Sequence, residues 1–142
     1  MKRISPFLIF LLVTLNLGAQ KISQDTRNII GSMRVLNKLS YSDIDQEGKT
    51  TPQFVNYKKL LKTATMEELE LLSNDTNQVV RGYVCLALLE RKSPAIKKVY
   101  EKLVVEKSSI STFDNGVANT VYLYDFIRYK TFSLKESDKL KV

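Results

Sequence analysis

The chain has 142 residues and a formal charge of +7, enough for one domain with a sizeable core and too short for two. It contains no histidine, no tryptophan and one cysteine, Cys85, which excludes histidine general bases, His/Cys zinc sites and Ser-His-Asp or Cys-His nucleophile pairs. Charged residues at 26% and apolar residues at 44% are a globular composition, and five Gly with three Pro argue against a loop-rich β-sandwich.

The first residues are Met1-Lys2-Arg3, followed by an apolar run over 7–15 and then Leu17-Gly18-Ala19-Gln20. A basic start, a short apolar stretch and a small-residue exit form the layout of a secretory signal peptide cleaved after Ala19. The run is well short of the roughly 20 residues a bilayer-spanning helix needs, so no transmembrane helix is expected after cleavage. Leu17 at the −3 position is a poorer cleavage residue than Ala, which leaves an uncleaved N-terminal anchor as the alternative. No cysteine follows the run, as a lipoprotein would require. Cleavage removes Lys2 and Arg3 and lowers the charge to +5, a mild excess that favours acidic partners or anionic envelope polymers. No basic stripe suits nucleic acid, and the expected location is periplasmic or extracellular.

Residues 20–51 are read as an N-terminal helix and a polar linker. Ile29, Met33 and Leu36 recur at helical spacing, Gly31 weakens the helix, and 41–51 is polar. A helical domain over 52–130 follows. Thr51-Pro52 is an N-cap with proline at the first helical position, and Phe54, Tyr57 and Leu61 line one face of a helix over 53–62. Thr65-Met66-Glu67-Glu68 fits a capping box opening a helix over 66–73. Asn74-Asp75-Thr76-Asn77 breaks the pattern, and Asn77 can cap a helix over 78–91 that is apolar on nearly every side and therefore buried. Cys85 lies in this stretch and reads as a buried, inert thiol. Ser93-Pro94 repeats the cap-plus-proline signal before a helix over 94–106 with the stripe Ile96, Val99, Tyr100 and Leu103. Residues 108–116 are a polar break. Residues 117–129 are expected to form a last helix, with a strand as the alternative because Thr120-Val121-Tyr122 is β-branched and aromatic. Residues 131–142 are a charged tail expected to fray.

The fold class expected is all-α. The stretch 66–92 resembles a HEAT-like repeat, carried by Glu68-Leu69, Leu71-Leu72, Asp75, Asn77, Val79-Val80-Arg81 and Ala87-Leu88. The layout also looks like small exported HEAT-like proteins of Bacteroidota. The resemblance covers one unit and implies a short helical solenoid of antiparallel pairs, with flanking helices as capping layers. It also implies that Asp75, Asn77 and Arg81 are the structural turn residues, Asp75 and Arg81 holding the positions of a hydrogen-bond ladder. No enzymatic residue set comes with it.

Asp43-Ile44-Asp45-Gln46-Glu47-Gly48 imitates the start of an EF-hand loop, but Phe54 stands where the bidentate Glu belongs, so an ordinary polar loop is expected. Glu67, Glu68 and Glu70 are explained by capping and the helix dipole, and no carboxylate falls alone in an apolar stretch. No catalytic, cofactor or metal residues are assigned. Tyr83, Tyr100, Tyr122 and Tyr124 are candidate interface residues, set against core packing with hydroxyls reaching the surface. The function expected is a non-catalytic module that binds a protein partner in the cell envelope through a concave helical surface. The alternatives are an envelope enzyme using carboxylates and a structural or ligand-storing envelope protein.

Overall fold

The computed structural model describes residues 22–40, 47–114 and 117–139. The proposed signal peptide, 1–19, lies outside them, as does most of the EF-hand-like loop. The described chain is mainly helical: α1 (Gln24–Leu36), α2 (Pro52–Thr63), α3 (Met66–Leu72), α4 (Gln78–Glu90), α5 (Ala95–Glu106) and α6 (Leu123–Lys139), with a hairpin of β1 (Ser109–Asp114) and β2 (Val117–Tyr122) between the last two.

Local chemistry sets the helix starts. Ser23, Thr51, Thr65 and Asn77 each accept a backbone N–H of the first turn of α1 to α4 respectively, satisfying donors that have no partner within the helix. Pro52 sits in the first turn of α2, where its missing N–H costs nothing. Before α5 the serine acts one residue early: the Ser93 hydroxyl accepts from the Ala95 N–H at 3.2 Å, and Pro94 already has helical dihedrals. The ends of α1 and α5 turn out through Asn37 and Lys107, whose left-handed backbones let their N–H groups reach Met33 and Leu103 carbonyls.

The core is organised around α4, in which every residue from Val79 to Leu88 is buried. Helices α1, α2, α3, α5 and α6 and strand β1 all pack on it, so an all-round apolar helix is matched by neighbours on all sides. Gly82 lets Leu39 and Leu123 approach α4 closely. A Cβ there would stand 3.0 and 3.2 Å from the two Leu39 methyls and 3.3 Å from a Leu123 methyl. Leu39, Leu60, Leu69, Leu103, Leu123 and Phe126 are fully buried, and burial of such a side chain contributes about 1.5–3 kcal/mol.

The buried faces of α1 and α2 overlap the stripes the apolar spacing predicts, sharing Met33 and Tyr57, but are turned so that Ile29, Phe54 and Leu61 are only partly buried and Leu36 is exposed. On α1 the buried face is Thr26, Ile30 and Met33; on α2 it is Gln53, Tyr57 and Leu60. In each case a polar residue takes a core position because it finds partners there. The Gln53 amide donates to the Met33 carbonyl at 3.2 Å and the Lys38 carbonyl at 2.9 Å. The Thr26 hydroxyl donates to Glu68 at 3.2 Å. Because Ile30 and Met33 join the same hydrophobic cluster as α4, α1 is part of the helical domain and not a separate leader to it.

The last third departs from expectation. Residues 117–122 form strand β2, antiparallel to β1 with Ser109 opposite Tyr122 and Asp114 opposite Val117, and helix begins only at Leu123. The reason is the partner: 109–114, read as a polar break, supplies the ladder that the β-branched Thr120-Val121-Tyr122 needs. The residues between the strands are Asn115 and Gly116, the dipeptide most favoured in two-residue hairpins. Leu39 makes an isolated parallel bridge to Thr112, tying β1 to the end of α1. The tail is also corrected: the α6 backbone stays helical to Lys139 instead of fraying from 131.

Candidate functional site

The turn between α3 and α4 is held by a polar network assembled from four helices. The Asp75 carboxylate accepts the Asn77 N–H at 2.8 Å and pairs with Arg34 of α1 at 2.5 Å. The Asn77 side-chain oxygen Oδ1 accepts the Val80 N–H at 3.0 Å, while its side-chain Nδ2 donates to Asn37 Oδ1 at 3.0 Å. Arg81, with a buried side chain, donates from Nε to the Ser73 carbonyl at 3.1 Å and from its terminal nitrogen to Glu106 of α5 at 2.6 Å. Lys102 closes the arrangement, donating to Asn74 at 2.6 Å and lying 3.6 Å from Glu106.

Asp75 and Arg81 therefore both hold the turn, each through a different neighbour. Asp75 ties it to α1 and Arg81 ties it to α5, a division that their spacing along the chain does not reveal. Hydrogen bonding from Arg81, opposed by burial, holds the Glu106 carboxyl below its usual range. Glu68 is similar. Burial works to raise its pKa, but the Ser23 and Thr65 N–H groups and the neighbouring hydroxyls outweigh it and leave the carboxyl lowered. A carboxylate held ionised in this way is a fixed acceptor, the opposite of a base poised near neutrality. Cys85 is fully buried, and burial, slightly offset by Arg81, pushes its thiol up to about 12. It is a packing group.

The four candidate tyrosines separate into two kinds. Tyr83 is interior: its ring lies 5.6 Å from that of Tyr57, and its hydroxyl accepts the Ser40 N–H at 3.2 Å. It is unavailable to a partner. Tyr122 and Tyr124 stack nearly parallel at 5.3 Å, with Tyr122 exposed. Burial, with Asp125 and Tyr122 adding to it, raises the Tyr124 hydroxyl pKa. Tyr100 is half-buried and lines a groove.

That groove, about 390 Å³, runs between α5 and α6 and is open along one side. Ile96, Lys97 and Tyr100 form one wall, Ile127, Arg128 and Thr131 the other, and Leu89 of α4 completes the lining. It exists because the apolar stripe of α5 is only partly covered. Leu103 is fully buried, whereas Ile96, Val99 and Tyr100 are only partly so. The stripe was legible in the sequence; its half-open end was not, since that depends on where α6 lies after the hairpin. Both charged residues lining the groove are cationic. Among the described residues, no group of three or more Cys, Asp or Glu side chains is arranged to hold a metal, and no helix is long and apolar enough to cross a membrane. No known protein family, curated protein or solved structure matches the chain.

Proposed function

We propose that the chain is an exported, non-catalytic helical module that binds a protein partner in the cell envelope, built on a HEAT-like α3–α4 unit. One observation carries the reading: an amphipathic helix, α5, has two of its stripe residues, Ile96 and Tyr100, only partly covered by the core and lining an open groove beside α6. Open apolar grooves rimmed by polar groups are the usual marks of partner surfaces. The tyrosines support it, since Tyr100 lines the groove and the Tyr122–Tyr124 stack stands at the β2–α6 junction. Tyrosine supplies large contact area with little entropy to lose. The carboxylates add to it from the other side, because Asp75, Glu68 and Glu106 are each engaged in tying helices together.

The test is in-cell cross-linking and affinity purification of the full chain, followed by reconstitution of any co-purifying protein with the purified chain. A saturable complex of fixed stoichiometry is the expected result. A chain that stays free of protein partners in the envelope, and in reconstitution, refutes the reading.

A further inference from the structure

We infer that the groove between α5 and α6 receives an acidic amphipathic helix of a protein partner, its apolar ridge seated on Ile96, Tyr100 and Leu89 and its carboxylates directed to Lys97 and Arg128. The inference rests on the interaction-module reading and specifies its partner.

Shape argues for a helix. The two walls are helices that present residues at i and i+4, Ile96 with Tyr100 and Ile127 with Thr131, which is the ridge spacing that a third helix packs between. A helix laid there anchors through side chains at i, i+3, i+4 and i+7. Addition of an extended peptide as a strand would need free backbone donors and acceptors along a sheet edge, and helical walls offer none. An acyl chain or small ligand is usually enclosed over most of its surface, and this groove is open along one side.

Charge argues for an acidic one. Lys97 takes part in no ion pair among the described residues. Among the described residues Arg128 forms one ion pair, a surface one with Asp125 at 2.9 Å on the preceding turn, and its side chain is largely exposed. Such a solvent-exposed pair is weak and screened by salt, so the guanidinium is readily redirected to an incoming carboxylate. A helix seated on the apolar floor would displace water from it, which strengthens a carboxylate contact made at the rim. A basic helix would meet two like charges there.

The experiment places photoreactive p-benzoylphenylalanine at Tyr100 in the full chain, produced in its native host, and separately at Val35, an exposed residue of α1, a helix that contributes nothing to the groove lining. After irradiation, the cross-linked peptide is sequenced by mass spectrometry. The expected adduct at position 100 is a partner segment of net negative charge with apolar residues at helical spacing. In the Lys97→Glu/Arg128→Glu double variant, its yield should fall about tenfold, with an unchanged far-UV circular dichroism spectrum. An adduct at 100 with a lipid, a second copy of this chain, or a basic or extended segment overturns the inference, as does a yield indifferent to the charge reversal. A protein adduct at 35 and none at 100 overturns it while leaving the interaction-module reading intact. Absence of protein adducts at both positions removes both.

Discussion

Removal of Glu68 is predicted to loosen the N-terminal half at two points. Its carboxylate serves two helix starts at once: it accepts the Thr65 N–H at 2.7 Å, completing the capping box of α3, and the Ser23 N–H at 2.6 Å beside the start of α1. It also takes the buried Thr26 hydroxyl at 3.2 Å. Glu68→Ala leaves two N–H groups and one buried hydroxyl without this acceptor. The loss of a cap is worth about 1 kcal/mol, and a stranded buried donor about 1–3 kcal/mol. Solvent can reach part of the site after truncation, so the total is about 3 kcal/mol, on the order of 10 °C in Tm for a domain of this size. Thermal and urea unfolding of the variant measure it, and hydrogen exchange locates it, with amides of α1 losing protection before those of α4. The carboxyl is held below its ordinary pKa, so its contribution is present above the unfolded-state value near pH 4.3 and lost as pH falls through the folded value. The wild-type chain should therefore lose stability in acid faster than the Glu68→Ala variant. A Tm change under 2 °C, or parallel acid curves for the two proteins, refutes the double-cap account.

Arg81→Ala should cost about 2–3 kcal/mol, because the Ser73 carbonyl and Glu106 both lose a buried charged donor; the thermal melt reads it, and an unchanged Tm would reopen Arg81 as a functional residue. Gly82→Val should destabilise by about 2 kcal/mol or more in urea unfolding, since Leu39 and Leu123 methyls already stand within 3.3 Å of a single added Cβ. The Cys85 thiol, buried and pushed up to about 12, should be silent to a thiol-specific chromophore in the native protein and react fully in denaturant. Intact mass of the chain recovered from the envelope should correspond to loss of Met1 through Ala19; the full 142-residue mass in a soluble cytoplasmic fraction would dismiss export.

What the sequence by itself determined is the presence of a helix within 20–40 and the placement of the four helices between 52 and 106, because the starts of those four are written in local chemistry. A threonine before a proline, a Thr65–Glu68 box and an asparagine before an apolar run each act within four residues of the helix they start. The buried identity of α4 was equally local, since a helix apolar on all sides has only one place to go. Tertiary structure decided whatever depends on a distant partner. Thr26 and Gln53 face inward because Glu68 lies 42 residues from the first and the Met33 carbonyl 20 from the second. Arg81 chose Glu106 and Asp75 chose Arg34 across helix boundaries that spacing cannot cross. Residues 117–122 became strand because 109–114 lay alongside, a pairing energy absent from either segment alone. The hairpin in turn set where α6 packs, and α6 left Ile96 and Tyr100 beside an open groove. The apolar stripe of α5 is a property of its residues, but how much of it is fully buried is set by the helix that covers only part of it.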